Sequence, residues 1–516
     1  MSIIEERLIT LSNLNKETQL NISENKLVTL NTDKTHREIH KCSWQMFVDL
    51  GIFTEDQTKG PLVERNLGYG SAMTSLFPQR GYLVSGLESD LSNPLRQIFR
   101  DIFEFNRNYH EITNPSPILE ISHGSSEGVT AKSSLSSSVI DDVLNRGARM
   151  VYDRNDSLIQ HLLPEGSLEA ALELNNKAYF HRLLEKSDLK APETFMVSLS
   201  DSDLNILLDD ESNAKENFMR LLMADYPEFN LSINYFLKVS IGAGGIGLIR
   251  SESSNEDYVG MLKFYKATKE RNNEVEILVA KPLDIVSLPE IDPLDNENQI
   301  AFSPCMTMAM TRDNFILRQA AEQVLSNGTA YIGSMWDMQM QENLISVLGE
   351  RFNEFGRLIQ STGYTGILGT DYILTQVPGG PTSLSMDDLR RLNQMQGRQK
   401  VEAMRSMFDY TLIGDMNARQ NGNGVGEKVK TSLHLSGVDV SKTFQCSRTL
   451  KGSNENTLEM LNDAFGEMKI QRIGDTYSGV VILPNLNEKY EEELGVTAVF
   501  INPQLRPQEF QKLLEM

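Results

Sequence analysis

The chain has 516 residues, 40% of them hydrophobic and 23% charged. That is enough for roughly three or four cores of about 150 residues each, and it excludes a fibrous or disordered chain. With 71 acidic against 49 basic side chains the formal net charge is −22, which disfavours diffuse binding to a nucleic-acid backbone but leaves room for small anions held by a few buried cations. Cys42, Cys305 and Cys446 are far apart and form no CxxC pair, so neither a disulfide framework nor a zinc site is indicated.

No stretch approaches the ~18 apolar residues of a membrane span. The opening MSIIEERLITL lacks the basic and apolar regions of a signal peptide, so a cytoplasmic location is the expectation.

The first 40 or so residues read as a polar strand-and-turn arm. GYLVSGL (81–87) has the length and flanks of a buried strand, PLRQIFRDIFEF (94–105) has helical spacing, and ARMVYD (148–153) reads as a strand. This alternation suggests an α/β unit over residues 1–155, with a Ser/Gly-rich surface loop at 122–138. SLEAALELNNKAYFHRLLEKSDLKAPETFMV gives a helix to about residue 186, a break at Pro192 and a strand at TFMV. From 231 to 286 the pattern is of strands with a glycine turn. Segments 313–326 and 341–360 read as helices, CMTMAM (305–310) as a buried strand, and 366–376 and 410–419 as strands. Between them, 377–408 looks like an inserted loop and helix. The tail carries two strand-like stretches, SGVVILPN and GVTAVFIN, and a short helix after Pro507.

The most informative segment is FLKVSIGAGGIGLIR. A strand delivers Lys238, Gly242, Gly244, Gly245 and Gly247 follow, and a second strand begins at once. Such glycines let backbone N–H groups approach a phosphate chain, which the lysine can neutralise. A Walker A loop places its lysine after the glycines, and a Rossmann turn leads into a helix; neither pattern is met. A strand–glycine-loop–strand cover is also found in protein kinases, but no HRD or DFG element follows. Further on, Asp371 lies in a strand. Asp415, Asn417 and Arg419 alternate at the end of another, so they share one face. Two carboxylates and an amide are hard oxygen ligands suited to Mg²⁺, and Arg419 can hold a phosphoryl group.

Taken together, these segments resemble the ATP-grasp superfamily over residues 170–425. The resemblance implies an N-terminal α/β domain (1–155), a core of two α+β subdomains clasping ATP (156–425) and an α+β extension (426–516). It implies that Lys177 and Lys238 contact phosphate and that Gly242–Gly247 form a flexible loop. The backbone around Lys281 and Leu283 would bind the adenine edge. Asp371, Asp415 and Asn417 would hold Mg²⁺, and Arg419 would stabilise an oxyanion. Such enzymes join a carboxylate to an amine through an acyl phosphate, releasing ADP. The leader, the NAR-NGNG ending and the C-terminal extension look most like the pheganomycin-type peptide ligases.

The sequence also departs from the family. Ala280 stands where the hinge usually begins with Glu; Glu276 is the nearby candidate to substitute for it, and Asp284 and Glu290 are the candidates for the ribose. Asp415 replaces the usual Glu. The resemblance implies small carboxylate and amine substrates, with ATP and Mg²⁺; no nucleic-acid or membrane partner is expected, and a homodimer is the base-rate assembly. Alternative readings are a carrier-protein thiol as acceptor, phosphoryl transfer to a small molecule, or a non-catalytic nucleotide-binding scaffold. His181 reads as a packing residue, and Trp336 and Met338 as core contacts or acceptor-pocket lining.

Overall fold

The computed structural model describes residues 167–503 except 242–246, 271–273, 290–298, 311–313, 327–329, 365, 419–425, 428, 431–432, 434–437, 452–469, 474–475 and 486–492. The expected α/β unit over 1–155 and the final helix therefore lie outside the described residues, as do Gly242, Gly244, Gly245, Glu290 and Arg419.

Two helices open the described chain, α1 (Ser167–Asn175) and α2 (Lys177–Leu184), separated by Asn176, which caps the second. A smaller lobe follows: β1 (Thr194–Val197), α3 (Asp201–Asp209), α4 (Ala214–Asp225), β2 (Phe236–Val239), β3 (Leu248–Arg250), α5 (Asn255–Lys269) and β4 (Ile277–Ala280). Its four strands form an antiparallel sheet in the order β1-β4-β2-β3. The helices cover one face, where Phe218, Leu222, Tyr258, Leu262 and Tyr265 meet Leu237, Val239, Ile277 and Val279. The segment 231–286 is thus not all strand. Helix α5 lies inside it, started by a capping box in which Ser254 and Asp257 exchange side-chain and backbone bonds. The signal was legible as S-x-x-D ahead of apolar residues at positions 258, 261, 262 and 265.

The larger lobe contains β5 (Pro304–Met310), β6 (Phe315–Ser326), β7 (Ala330–Asp337), α6 (Met338–Leu348), α7 (Glu350–Ser361), β8 (Gly366–Gln376), α8 (Met386–Gln394), α9 (Gly397–Met407) and β9 (Phe408–Asn417). It continues with β10 (Lys442–Lys451), β11 (Gln471–Ile473), β12 (Thr476–Asn485) and β13 (Glu493–Ile501). All these strands join one sheet, in the order β11-β12-β13-β10-β7-β6-β5-β8-β9. Strands from beyond residue 426 therefore extend the sheet that carries Asp371 and Asp415.

The helix expected over 313–326 is instead β6. FILRQAAEQVLS is rich in helix formers, but it pairs on both sides, with β5 and β7, in the middle of the sheet. Tertiary pairing overrides local propensity here. The 341–360 helix is two helices broken at Gly349, and the insertion before β9 is the pair α8 and α9. Among the described residues no helix is long and apolar enough to cross a membrane.

One face of β5, β8 and β9 is apolar. Met306, Met308, Met310, Leu368, Tyr372, Leu374, Leu412 and Met416 pack there with residues of α1, α2, α6 and α7. By alternation, Cys305, Thr307, Gly369, Asp371, Asp415 and Asn417 face the other way. At the start of β9, Asp409 is buried and bonded to both the Arg351 guanidinium and Lys190 Nζ. Burial opposes its charge, but these cations outweigh that cost and hold the carboxyl below its usual range. The stability it supplies is present at neutral pH and lost as pH falls below the normal carboxylate value. Asp409→Ala should cost about 2–3 kcal/mol in urea unfolding, since it strands cations that are only partly exposed.

Candidate active site

The site lies where the two lobes meet, and the α1–α2 junction holds it together. The Asn175 side chain accepts the Ala418 N–H at 3.1 Å, just past β9. The Lys177 N–H donates to Ser240 O at 2.8 Å, just past β2. One turn of chain thus ties the end of a small-lobe strand to the end of a large-lobe strand, and Lys177 starts its helix between them.

Lys238 crosses the same junction. In β2, Leu237 and Val239 enter the small-lobe core, so Lys238 points out of it. Its Nζ donates to Asp415 Oδ1 at 2.8 Å and to Ile413 O at 3.1 Å, both on β9. Gly247 closes the β2–β3 hairpin with φ +73°, and a Cβ there would sit 2.7 Å from the Phe264 ring. Only glycine fits that closure.

Asp371 is opposite Cys305 in the β5–β8 pair, and Asn417 is opposite Gly369 in the β8–β9 pair. The β8–β9 register then slips between Thr370 and Tyr372, leaving residues 413–415 as a bulge beside Asp371. Gly414, with φ +77°, forms that bulge, and His181 of α2 packs against it so closely that a Cβ at 414 would lie 1.9 Å from Nε2. His181 is 3% exposed and its Nε2 has no hydrogen-bond partner. Burial, and then the nearby Lys238, push its pKa down to about 4 despite Asp415, so it is a neutral spacer at physiological pH. Sequence reading placed His181 as a packing residue; its contact with a bulge more than 200 positions away was not legible.

The two carboxylates titrate apart. Burial raises Asp371 to about 6, with the Cys305 thiol opposing and the Asp415 charge adding to the rise. Burial also opposes charge on Asp415, but Lys238 and Lys177 outweigh it and keep that carboxyl below the usual range. Both lysines act on His181, Asp371 and Asp415, which brings Lys177, Lys238, Asp371 and Asp415 into one electrostatic unit.

The remaining candidates are more dispersed. Glu276 is bonded to Arg182, and its other oxygen accepts from Ser198 Oγ at 3.3 Å, so its carboxylate is engaged within the small lobe and α2. The Lys281 N–H donates to Glu193 O at 2.8 Å, and its Nζ pairs with Glu193 at 2.6 Å. Leu283 and Asp284 lie on the connection between lobes: Asp284 O accepts from Gln376 N, and Ile285 bridges to Thr375 of β8. The Asp284 side chain is exposed. Trp336 is buried against Val429, Leu433 and Val499, while Met338 is exposed.

A divalent cation would find hard oxygens from Asp371, Asp415 and Asn417 on one sheet face. Among the described residues no three His, Cys, Asp or Glu side chains converge, so Asn417 is needed to complete the set. A partly buried carboxyl raised by lost hydration and by a neighbouring carboxylate is what a cation would relieve.

No protein-family model matches the sequence, and no curated protein matches it. Similar solved structures include an L-amino acid ligase from Bacillus licheniformis, 10% identical with a TM-score of 0.42, covering 85% of this chain and 97% of that one. Phosphoribosylamine–glycine ligase from Thermotoga maritima is 11% identical with a TM-score of 0.42, covering 84% and 94%. Biotin carboxylase from Campylobacter jejuni is 11% identical with a TM-score of 0.42, covering 84% and 89%.

Proposed function

We propose that the chain is an ATP-dependent ligase of the ATP-grasp type, joining a small carboxylate to an amine. The observation that carries this reading is the convergence of Lys177 and Lys238 on Asp371 and Asp415 across the junction between lobes. Two cations and two carboxylates in a partly buried cleft match a triphosphate that arrives with its own divalent ion. Bound Mg²⁺, held by Asp371, Asp415 and Asn417, would supply charge neutralisation for the phosphates.

In the free protein Lys238 Nζ is the counter-ion of Asp415. Asp371, Asp415 and Asn417 would hold the cation, and Lys238, which reaches Asp415 from the small lobe, would neutralise a phosphate oxygen. A substrate carboxylate oxygen then attacks the γ-phosphorus as the bond to ADP breaks, giving an acyl phosphate. An amine nitrogen attacks its carbonyl carbon, the carbon–oxygen bond to phosphate breaks, and the amine proton leaves to solvent. The glycine-rich segment 242–247 is assigned to the phosphates. Arg419, two residues beyond Asn417 in sequence, is assigned to the oxyanion. The backbone about Lys281 and Leu283 is assigned to adenine, and Asp284 to the ribose. Of these hinge positions the Lys281 N–H is already committed to Glu193, which leaves carbonyls and the Leu283 N–H for the base edge.

Peptide or specialised-metabolite amide synthesis, as in the pheganomycin-type ligases, is the finer assignment, with a cytoplasmic setting. The test is a scan of amino acids and short peptides for stimulated ADP release, followed by mass measurement of the product. ADP and phosphate that appear only with both a carboxylate and an amine support the reading. AMP with pyrophosphate, or ADP without any amine requirement, would overturn it.

A further inference from the structure

The sheet face that carries Asp371 continues onto β5 and β6. Thr307 lies directly opposite Gly369 on one side and Gln319 on the other, and Gly369 is opposite Asn417. Gln319, Thr307, Gly369 and Asn417 therefore form one row across four strands. Met306 and Met308, which flank Thr307, enter the apolar core, so Thr307 faces the Asp371 side. The β5–β6 register slips between Thr307 and Met308, which places Arg318 in a bulge next to Gln319.

Thr307 and Gln319 are each 1% exposed, yet Thr307 Oγ1 and Gln319 Oε1 have no hydrogen-bond partner. Directly opposed strand residues have Cβ atoms about 5 Å apart, so the two orphan oxygens are near neighbours. A buried polar atom without a partner is costly, and two side by side on the face of the proposed reaction site point to a ligand group that donates to both. The neighbouring cation does not satisfy them: the Arg318 guanidinium is turned to Glu427, with Nε 2.9 Å from Oε1.

We infer that Thr307 and Gln319 form the subsite for the incoming amine, their oxygens accepting its N–H groups beside the metal face of β8 and β9. This rests on the ligase reading above. An amine suits the site because the Gln319 amide oxygen only accepts and the Thr307 hydroxyl can accept as well as donate, while an amino group brings two or three donors where a carboxylate brings none. A neutral pair of acceptors also binds the unprotonated, nucleophilic amine without the ion pair that would hold it as ammonium.

The test uses Thr307→Val, Gln319→Met and the double variant, which keep volume while removing the orphan oxygens. Hydroxylamine, a small nucleophile that traps the acyl phosphate as a hydroxamate, is compared with the standard L-amino acids as amines. In the double variant the KM for the amine should rise about 10- to 100-fold. The KM for ATP should stay within about twofold. Without ligand the double variant should melt about 1–3 °C higher, because unsatisfied buried groups have been replaced by apolar ones. A purely structural role would lower the melting temperature instead. A fall in melting temperature, or an unchanged amine KM, or a raised KM for the carboxylate, overturns the subsite. Absence of hydroxamate in the unaltered protein overturns the ligase reading and the subsite with it.

Discussion

Asp371→Asn should lower ATP turnover by about 100- to 1000-fold, the usual cost of deleting one charge that stabilises a phosphoryl-transfer transition state. The substitution keeps shape and the polar partner at Cys305 but removes the buried negative charge that Mg²⁺ would meet. In the metal-free protein the effect on stability has the opposite sign. The folded-state pKa of about 6 lies above the ordinary 3.8, so the folded form holds a proton that the unfolded form has already lost in between. Stability from this group is therefore full below about pH 4, declines as pH rises to about 6, and stays flat above. Asp371→Asn should remove that decline and gain roughly 2–3 kcal/mol at neutral pH in urea unfolding with chelator present. A single substitution that silences turnover while stabilising the fold marks a functional charge; a loss of both would mark a structural one. Because Mg²⁺ displaces that proton, cation affinity should weaken as pH falls through about 6.

The second large effect is expected at Gly414. With φ +77° and a would-be Cβ only 1.9 Å from His181 Nε2, alanine there meets both backbone strain and a ring that cannot retreat. His181 is fixed in α2, whose start is bonded to Ser240, so the bulge must move instead, carrying Asp415 away from Lys238. Gly414→Ala should cost about 3–5 kcal/mol of stability and lower turnover well over tenfold. His181→Ala combined with Gly414→Ala should recover about half of that stability, since only the φ strain then remains. If the double substitution is no better than Gly414→Ala alone, the His181 contact is not what fixes the bulge.

Much of the site was legible in the sequence because its chemistry is local. Lys238 before the glycines, and Asp415 and Asn417 at alternate positions, are patterns of adjacent residues, and of these Lys238 and Asp415 meet in a hydrogen bond across the junction between lobes. What was not legible depends on pairing between distant segments. β6 is written in helix-forming residues and becomes a strand only because β5 and β7 flank it. The row from Gln319 to Asn417 spans four strands and almost 100 positions, so no spacing rule exposes it. Nor does any local rule place His181 beneath Gly414. At Glu276 the position next to the hinge is local, but its bond to Arg182 is not. Charge pairing across the fold determined that carboxylate's partner.

The most direct measurement is a crystal structure with Mg²⁺ and a non-hydrolysable ATP analogue. Phosphate oxygens should lie within hydrogen-bond distance of Lys177 and Lys238 Nζ, with a cation touching Asp371, Asp415 and Asn417 and the Lys238–Asp415 pair opened. A nucleotide bound elsewhere, with Lys238 still locked on Asp415, would contradict the cross-lobe triphosphate site.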